Sequence, residues 1–426
     1  MKKILSAFCF FLVPISLFAN ECPNLNSQNT LQEIIEIGLC RNPTTKSGYL
    51  SVESARASKN SAYSKYLPSV NASVGTSATD ADNYDTWEKS ASISASYLLF
   101  DFGKRYSELS RLAAVWKSTG FDYDDRVQNY VYSIVAAYYG LLAADADVKS
   151  GAETLRVAEE AKATADKKFK AGAVARADVL RADTTLAANR TDLRRSQGNR
   201  KIASAKLLSL LSLPQGTEIN IADMPAEFGS SAEIEDIDEL LKIAEQKRPD
   251  LLAAAQDVNA AWHARNASFM GHLPTISASG GYSYDMDTKL HSTQIGVNIS
   301  VPIFAGFSGV YNDKVAMLNY EMAKENEQAK LDSARLDVWT AFQNYKTAGE
   351  VLESTKAQLK SALESEKIVA GMYKVGRSTM LDWQSSQADL ASAQKQNAEA
   401  KYDLFIKRAA LAMAVGDLKS DSNIAQ

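Results

Sequence analysis

The chain has 426 residues, is mildly acidic with a formal net charge of −4, and is 23% charged and 46% hydrophobic. It carries no basic patch, which argues against nucleic acid as a partner. The only histidines are His263, His272 and His291. They form no metal-binding pair at a helical step, and no Gly-rich phosphate loop or nucleophile elbow appears, so neither an enzyme, a metal site nor a cofactor is expected.

The N-terminus reads as a signal peptide over 1–19. Lys2 and Lys3 form the charged start, Ile4 to Phe18 the apolar core, and Ala19 meets Asn20 at a plausible cleavage point. The core falls short of the roughly 20 residues a spanning helix needs. Cleavage removes both lysines and takes the net charge from −4 to −6. Cys9 leaves with the signal. Cys22 and Cys40 then stand in an oxidising compartment, where a disulfide between them is favoured over two free thiols. Glu21 before Cys22 and Phe8 before Cys9 are wrong for lipid attachment, which needs a small residue there. After the signal no apolar run reaches spanning length. Val131 to Ala144 comes nearest, and its Ser133, Tyr138, Tyr139 and Gly140 suit a helix face. A membrane crossing therefore has to use strands closed into a barrel.

The remaining chain is one unit written twice. Asn42-Pro43 is echoed by Arg248-Pro249, and Leu67-Pro68 by Leu273-Pro274, both 206 residues apart (249 − 43 and 274 − 68). Phe169-Lys170-Ala171-Gly172 is echoed by Tyr373-Lys374-Val375-Gly376, 204 apart (376 − 172). Residues 20–213 form the first repeat, 214–235 a linker, 236–418 the second repeat and 419–426 a tail.

Within each repeat the same elements follow in order. A short amphipathic helix (Leu31 to Leu39; Ile237 to Glu245) ends at an X-Pro step, and Asn42 with Pro43 supplies a cap and first residue for the next helix. Strand pairs come next, at about 68–100 and 274–303. Val70, Ala72 and Val74 alternate with Asn71, Ser73 and Gly75; Ile93, Ala95, Tyr97 and Leu99 alternate with serines. Ile276, Ala278, Gly280, Tyr282 and Tyr284 alternate with Ser277, Ser279, Gly281 and Ser283, and Ile295, Val297, Ile299 and Val301 with Gln294, Gly296, Asn298 and Ser300. One apolar face and one small, polar face is the pattern of a barrel strand between lipid and water. Helical hairpins follow at about 103–211 and 306–415. Val127, Val131, Ile134, Tyr138, Leu141, Asp145 and Val148 step by 4 and 3, as do Leu331, Ala334, Val338, Ala341, Tyr345, Ala348 and Leu352, which predicts a left-handed coiled coil. Four strands cannot close alone, since the smallest outer-membrane barrels use 8. A pore-free coiled-coil structural protein or adhesin would explain the rods but not strands recurring at matched positions.

This arrangement resembles the TolC family of outer-membrane efflux and secretion ducts. The resemblance covers the mature chain and is most specific at the two Leu-Pro steps, Leu99-Phe-Asp-Phe-Gly103, Val301-Pro-Ile-Phe-Ala-Gly306 and the turns ending at Gly172 and Gly376. It implies an α+β membrane protein in the outer membrane, extending into the periplasm. Three protomers would share a 12-stranded barrel and a coiled-coil tunnel that meets a periplasmic adaptor and an inner-membrane pump of ABC or RND type. It further implies that the hairpin turns, with Gly172 and Gly376, dock the adaptor and form a gated aperture. Asp178 and Asp382 match carboxylates of that aperture, and Tyr373 the tyrosine of a Tyr–Arg–Asp link. The sequence departs from the family at Ser378, the usual arginine position, with Arg377 one residue earlier, and at Ser385, where a second acid is usual.

Overall fold

The computed structural model describes residues 25, 28–81, 84–222 and 236–418. The signal peptide, Cys9, Cys22, residues 223–235 of the linker and the tail lie outside the described residues. Each repeat begins with two helices, α1 (Leu31–Arg41) and α2 (Pro43–Tyr63), or α5 (Ile237–Lys247) and α6 (Pro249–Met270). Thr30 and Glu33 form a capping box at the start of α1, and the Asn42 side chain accepts the N–H groups of Thr44 and Thr45 above Pro43.

The strands are β1 (Ser69–Ala81), β2 (Tyr84–Phe100), β3 (Thr275–Asp285) and β4 (His291–Ser300), in one antiparallel sheet of order β1-β2-β3-β4. The two repeats thus meet at β2 and β3. Their register keeps the two faces separate across the sheet. Val70 opposes Ala95, which opposes Gly280, which opposes Ile295; Ser73 opposes Ser92, Ser283 and Ser292 in the same way. Two corrections follow. A bulge between Leu98 and Phe100 sets Phe100, not Leu99, opposite Ile276, because an extra residue on one strand reverses the parity beyond it. Val301 lies just past β4, whose ladder ends at Ser300 before Pro302, a residue without an N–H to donate.

Two 67-residue helices, α3 (Lys104–Lys170) and α7 (Ser308–Lys374), each extend about 100 Å at 1.5 Å per residue. The shorter helices α4 (Arg176–Leu210) and α8 (Met380–Val415) return along them. Alone among the described helices, α3 is long and apolar enough to cross a membrane by length and composition. Its apolar residues instead face the protein interior: Ile134, Val135, Tyr138 and Leu141 are fully buried with Ile34 and Ile37 of α1, Leu207 and Leu208 of α4, and Phe405 of α8. Burying each such side chain contributes roughly 1.5–3 kcal/mol. This core sits midway along the rods. An isolated parallel bridge between Asn29 and Ile221, with the Tyr138 hydroxyl donating to the Ala222 carbonyl at 2.8 Å, ties the N-terminal segment to the start of the linker there.

Candidate functional site

Two regions of the fold are unfinished within one chain. The first is the sheet. Among the described residues its outer strands β1 and β4 each pair on one side only, and the apolar face is open: Val74 is 78% and Ile295 87% exposed. On the opposite face Ser69 and Ser96, and Ser73 and Ser92, share hydroxyl hydrogen bonds of 2.7 and 2.8 Å. One face is thus apolar and exposed, the other is lined with hydroxyls, and the backbone groups along the outer edges of β1 and β4 are free to pair with a further strand. Near the helical end of the sheet an aromatic group, Phe100, Phe102, Phe304 and Phe307, is also exposed. The upper part of α7 adds a second bare surface. Tyr311, Val315, Leu318 and Met322, spaced 4, 3 and 4, are each more than half exposed, a coiled-coil seam left uncovered by the described residues.

The second region is the pair of hairpin tips. Both long helices end in the same motif. The Ala173 N–H donates to the Lys168 carbonyl at 2.8 Å and the Gly172 N–H to Phe169 at 2.9 Å; the Arg377 N–H donates to Met372 at 2.8 Å and the Gly376 N–H to Tyr373 at 3.1 Å. This is the Schellman pattern, and it requires φ > 0 at its glycine: +73° at Gly172 and +81° at Gly376. The chain then turns into α4, with Asp178 in its first turn, and α8, with Asp382 in its first turn. The two helix starts differ. At α8, Thr379 and Asp382 make a complete capping box, and the Ser378 hydroxyl also donates to Asp382, at 3.1 Å. At α4 no side chain caps the helix, and the Asp178 carboxylate lies 3.9 Å from Arg181. Hydrogen bonds from Thr379 and then Ser378 hold the Asp382 carboxyl below its usual range.

Tyr373 is the buried centre of the tips. It is 2% exposed and packs on Trp383, ring centroids 5.1 Å apart, within a cluster that includes Ala161 and Ala165 of α3, Ala182 of α4 and Met380 of α8. Burial, with the nearby Asp178 charge, pushes its phenol above its ordinary pKa. The Trp383 indole N–H donates to Glu366 at 3.0 Å. Among the described residues no hydrogen bond or ion pair joins Arg377 to Tyr373 or Asp382; Arg377 is exposed. Lys168 instead reaches across from α3: its ammonium donates to the Tyr373 carbonyl and sits 4.2 Å over the Tyr373 ring. Lys168, Thr379 and Glu366 did not stand out in the sequence, although a lysine in the last turn of a helix is a sign of terminal charge pairing. Cys40 is exposed at the end of α1 and disulfide-bonded; its expected partner, Cys22, is outside the described residues.

The sequence model of the family described as outer membrane efflux protein matches residues 34–212 and again 240–417. The chain belongs to the outer membrane efflux protein family, that of TolC. The two matches begin 206 residues apart (240 − 34), the offset of the internal repeat. Protein CyaE of Bordetella pertussis is 24% identical, with 91% of this chain and 84% of that protein covered. Outer membrane protein TolC of Salmonella enteritidis is 25% identical over 100% of this chain and 88% of its own. The fold is that of the outer membrane protein VceC from Vibrio cholerae, with a TM-score of 0.79 at 18% identity over 91% of this chain and 96% of that one. The matched family is one of efflux proteins, not of enzymes.

Proposed function

We propose that three copies of this chain close one 12-stranded barrel and one helical tunnel, a passive outer-membrane exit duct for efflux or type I secretion. The four-stranded sheet, open at both edges and apolar on one face, carries the proposal. Two copies would supply eight strands, but an eight-stranded barrel has an interior filled by side chains. Three supply 12, enough for a water-filled passage lined by the serine face. The bare seam of α7 then packs on the neighbouring copy. The apolar face meets outer-membrane lipid, with the exposed phenylalanines near the bilayer boundary. A disulfide between Cys22 and Cys40 would fasten the N-terminal segment to α1.

The tips form the periplasmic entrance, normally closed, where a periplasmic adaptor docks on the turns at Gly172 and Gly376 and an inner-membrane pump supplies the energy. A trimer gathers six carboxylates there, two each (Asp178 and Asp382) from three copies, a ring that attracts cations. Membrane fractionation tests the duct: the protein should sediment with the outer membrane and run as a trimer on gels until heated. A soluble monomer in the periplasm would instead favour the pore-free structural protein. For the gate, replacing Asp178 and Asp382 with Ala should raise single-channel conductance in planar bilayers or weaken block by divalent cations; no change in either sinks the assignment.

A further inference from the structure

We infer that Lys168 is the latch that holds the two helical hairpins together at the entrance, in place of an arginine on the second hairpin; this rests on the duct reading above. Four observations at the tips lead there. Lys168 lies in the last turn of α3, and its ammonium crosses to the last turn of α7, donating to the Tyr373 carbonyl. That carbonyl already accepts the Gly376 N–H of the turn, so the lysine adds its charge at the negative end of the α7 dipole. The same ammonium sits 4.2 Å over the Tyr373 ring, adding a cation–π contact.

The residues a sequence comparison would choose for the latch are otherwise engaged. Asp382 is occupied by Thr379 and Ser378, all within its own helix start. Arg377 uses its backbone N–H to close the α7 turn and has no side-chain partner among the described residues. The Tyr373 hydroxyl is buried without a hydrogen bond among the described residues, so this tyrosine works through its ring face and its carbonyl, not through its hydroxyl. Lys168 thus makes a charged contact between the two hairpins within the last turns of both long helices. Breaking it removes this charged tie between the tips of α7 and α3 while leaving the apolar cluster around Tyr373, each turn's own backbone motif and the Thr379 capping box intact.

The test is single-channel recording of the full-length protein in planar bilayers. Lys168→Met keeps the side-chain stem and removes the charge. It is expected to raise conductance or open time several-fold, whereas Lys168→Arg, which keeps the charge, and Arg377→Ala should behave as wild type. Lys168→Gln repeats the test should Lys168→Met fail to reach the outer membrane. A conducting wild type with unchanged Lys168→Met and Lys168→Gln channels overturns the latch and leaves the duct standing. No conductance from the wild type or from any Lys168 variant, with the proteins present in the bilayer, overturns the duct reading itself, and the latch with it.

Discussion

At the hairpin tips, residues alike in the two repeats do different work. Asp178 and Asp382 occupy matching positions, yet Asp382 closes a capping box and Asp178 does not. Thr379→Ala should therefore loosen the start of α8 by about 1 kcal/mol, read as faster amide hydrogen exchange in its first turn. The same change at the matching Ala175 position has no counterpart, since α4 begins without a side-chain cap. Because the folded state holds the Asp382 proton weakly, the box is fully formed above the usual carboxyl value of 3.8 and is lost as pH falls through the lower folded value. Divalent block carried by Asp382 should accordingly persist down to 3.8 and fade only below it. A bilayer titration in which block vanishes well above 3.8 would count against this residue as the site. At Gly172 and Gly376 a Cβ meets open space, so Ala there costs only the left-handed backbone, about 1–2 kcal/mol, which hydrogen exchange at the turns would register. The sequence displayed these glycines and acids plainly, because a turn residue and a first-turn carboxylate are local features. It did not display Lys168, whose partner lies 205 residues away and is a backbone carbonyl, a group every residue carries.

At the scale of elements, side-chain alternation and the 3.5-residue seam are written directly in residue order and pointed to four strands and two long helices, elements the fold contains. The register across the β2–β3 junction was not legible, and the bulge that turns Phe100 rather than Leu99 toward the apolar face depends on which partner each residue meets. Packing depth was hidden in the same way. A Cβ on Gly38 of α1 would come within 2.5 Å of the Ile134 side chain and 2.9 Å of the Tyr130 hydroxyl, so α1 approaches α3 closely enough that a side chain there must push the ends of Ile134 and Tyr130 aside. The matching residue of the second repeat, 206 positions on, is a buried alanine, Ala244. Gly38→Ala should thus destabilise the protein by about 1–3 kcal/mol through overpacking. Thermal unfolding in detergent checks this, and an unshifted midpoint would show that the helix can move aside.

At the scale of the molecule, duplication explains the incompleteness of the single chain. Each repeat contributes two strands and a hairpin. Joining β2 to β3 yields a four-stranded sheet that still has two unpaired edges, and the exposed seam of α7 repeats the message in the helical part. The core that is complete lies midway along the rods, where Ile134, Tyr138, Leu207 and Phe405 converge. A strand count pointed to more than one copy in the proposed duct; the exposed seam of α7 could not be read that way, because exposure is a property of the fold. The most direct measurement of this account is disulfide cross-linking between the sheet edges. One cysteine is placed on β1 at Ser73 and a second is scanned along β4 from Ser292 to Ser300 in the same chain. The expected result is a register-dependent covalent ladder that ends at three chains in outer-membrane fractions. Cross-links that never join separate chains, or a ladder that closes at two chains or runs on without limit, would contradict it.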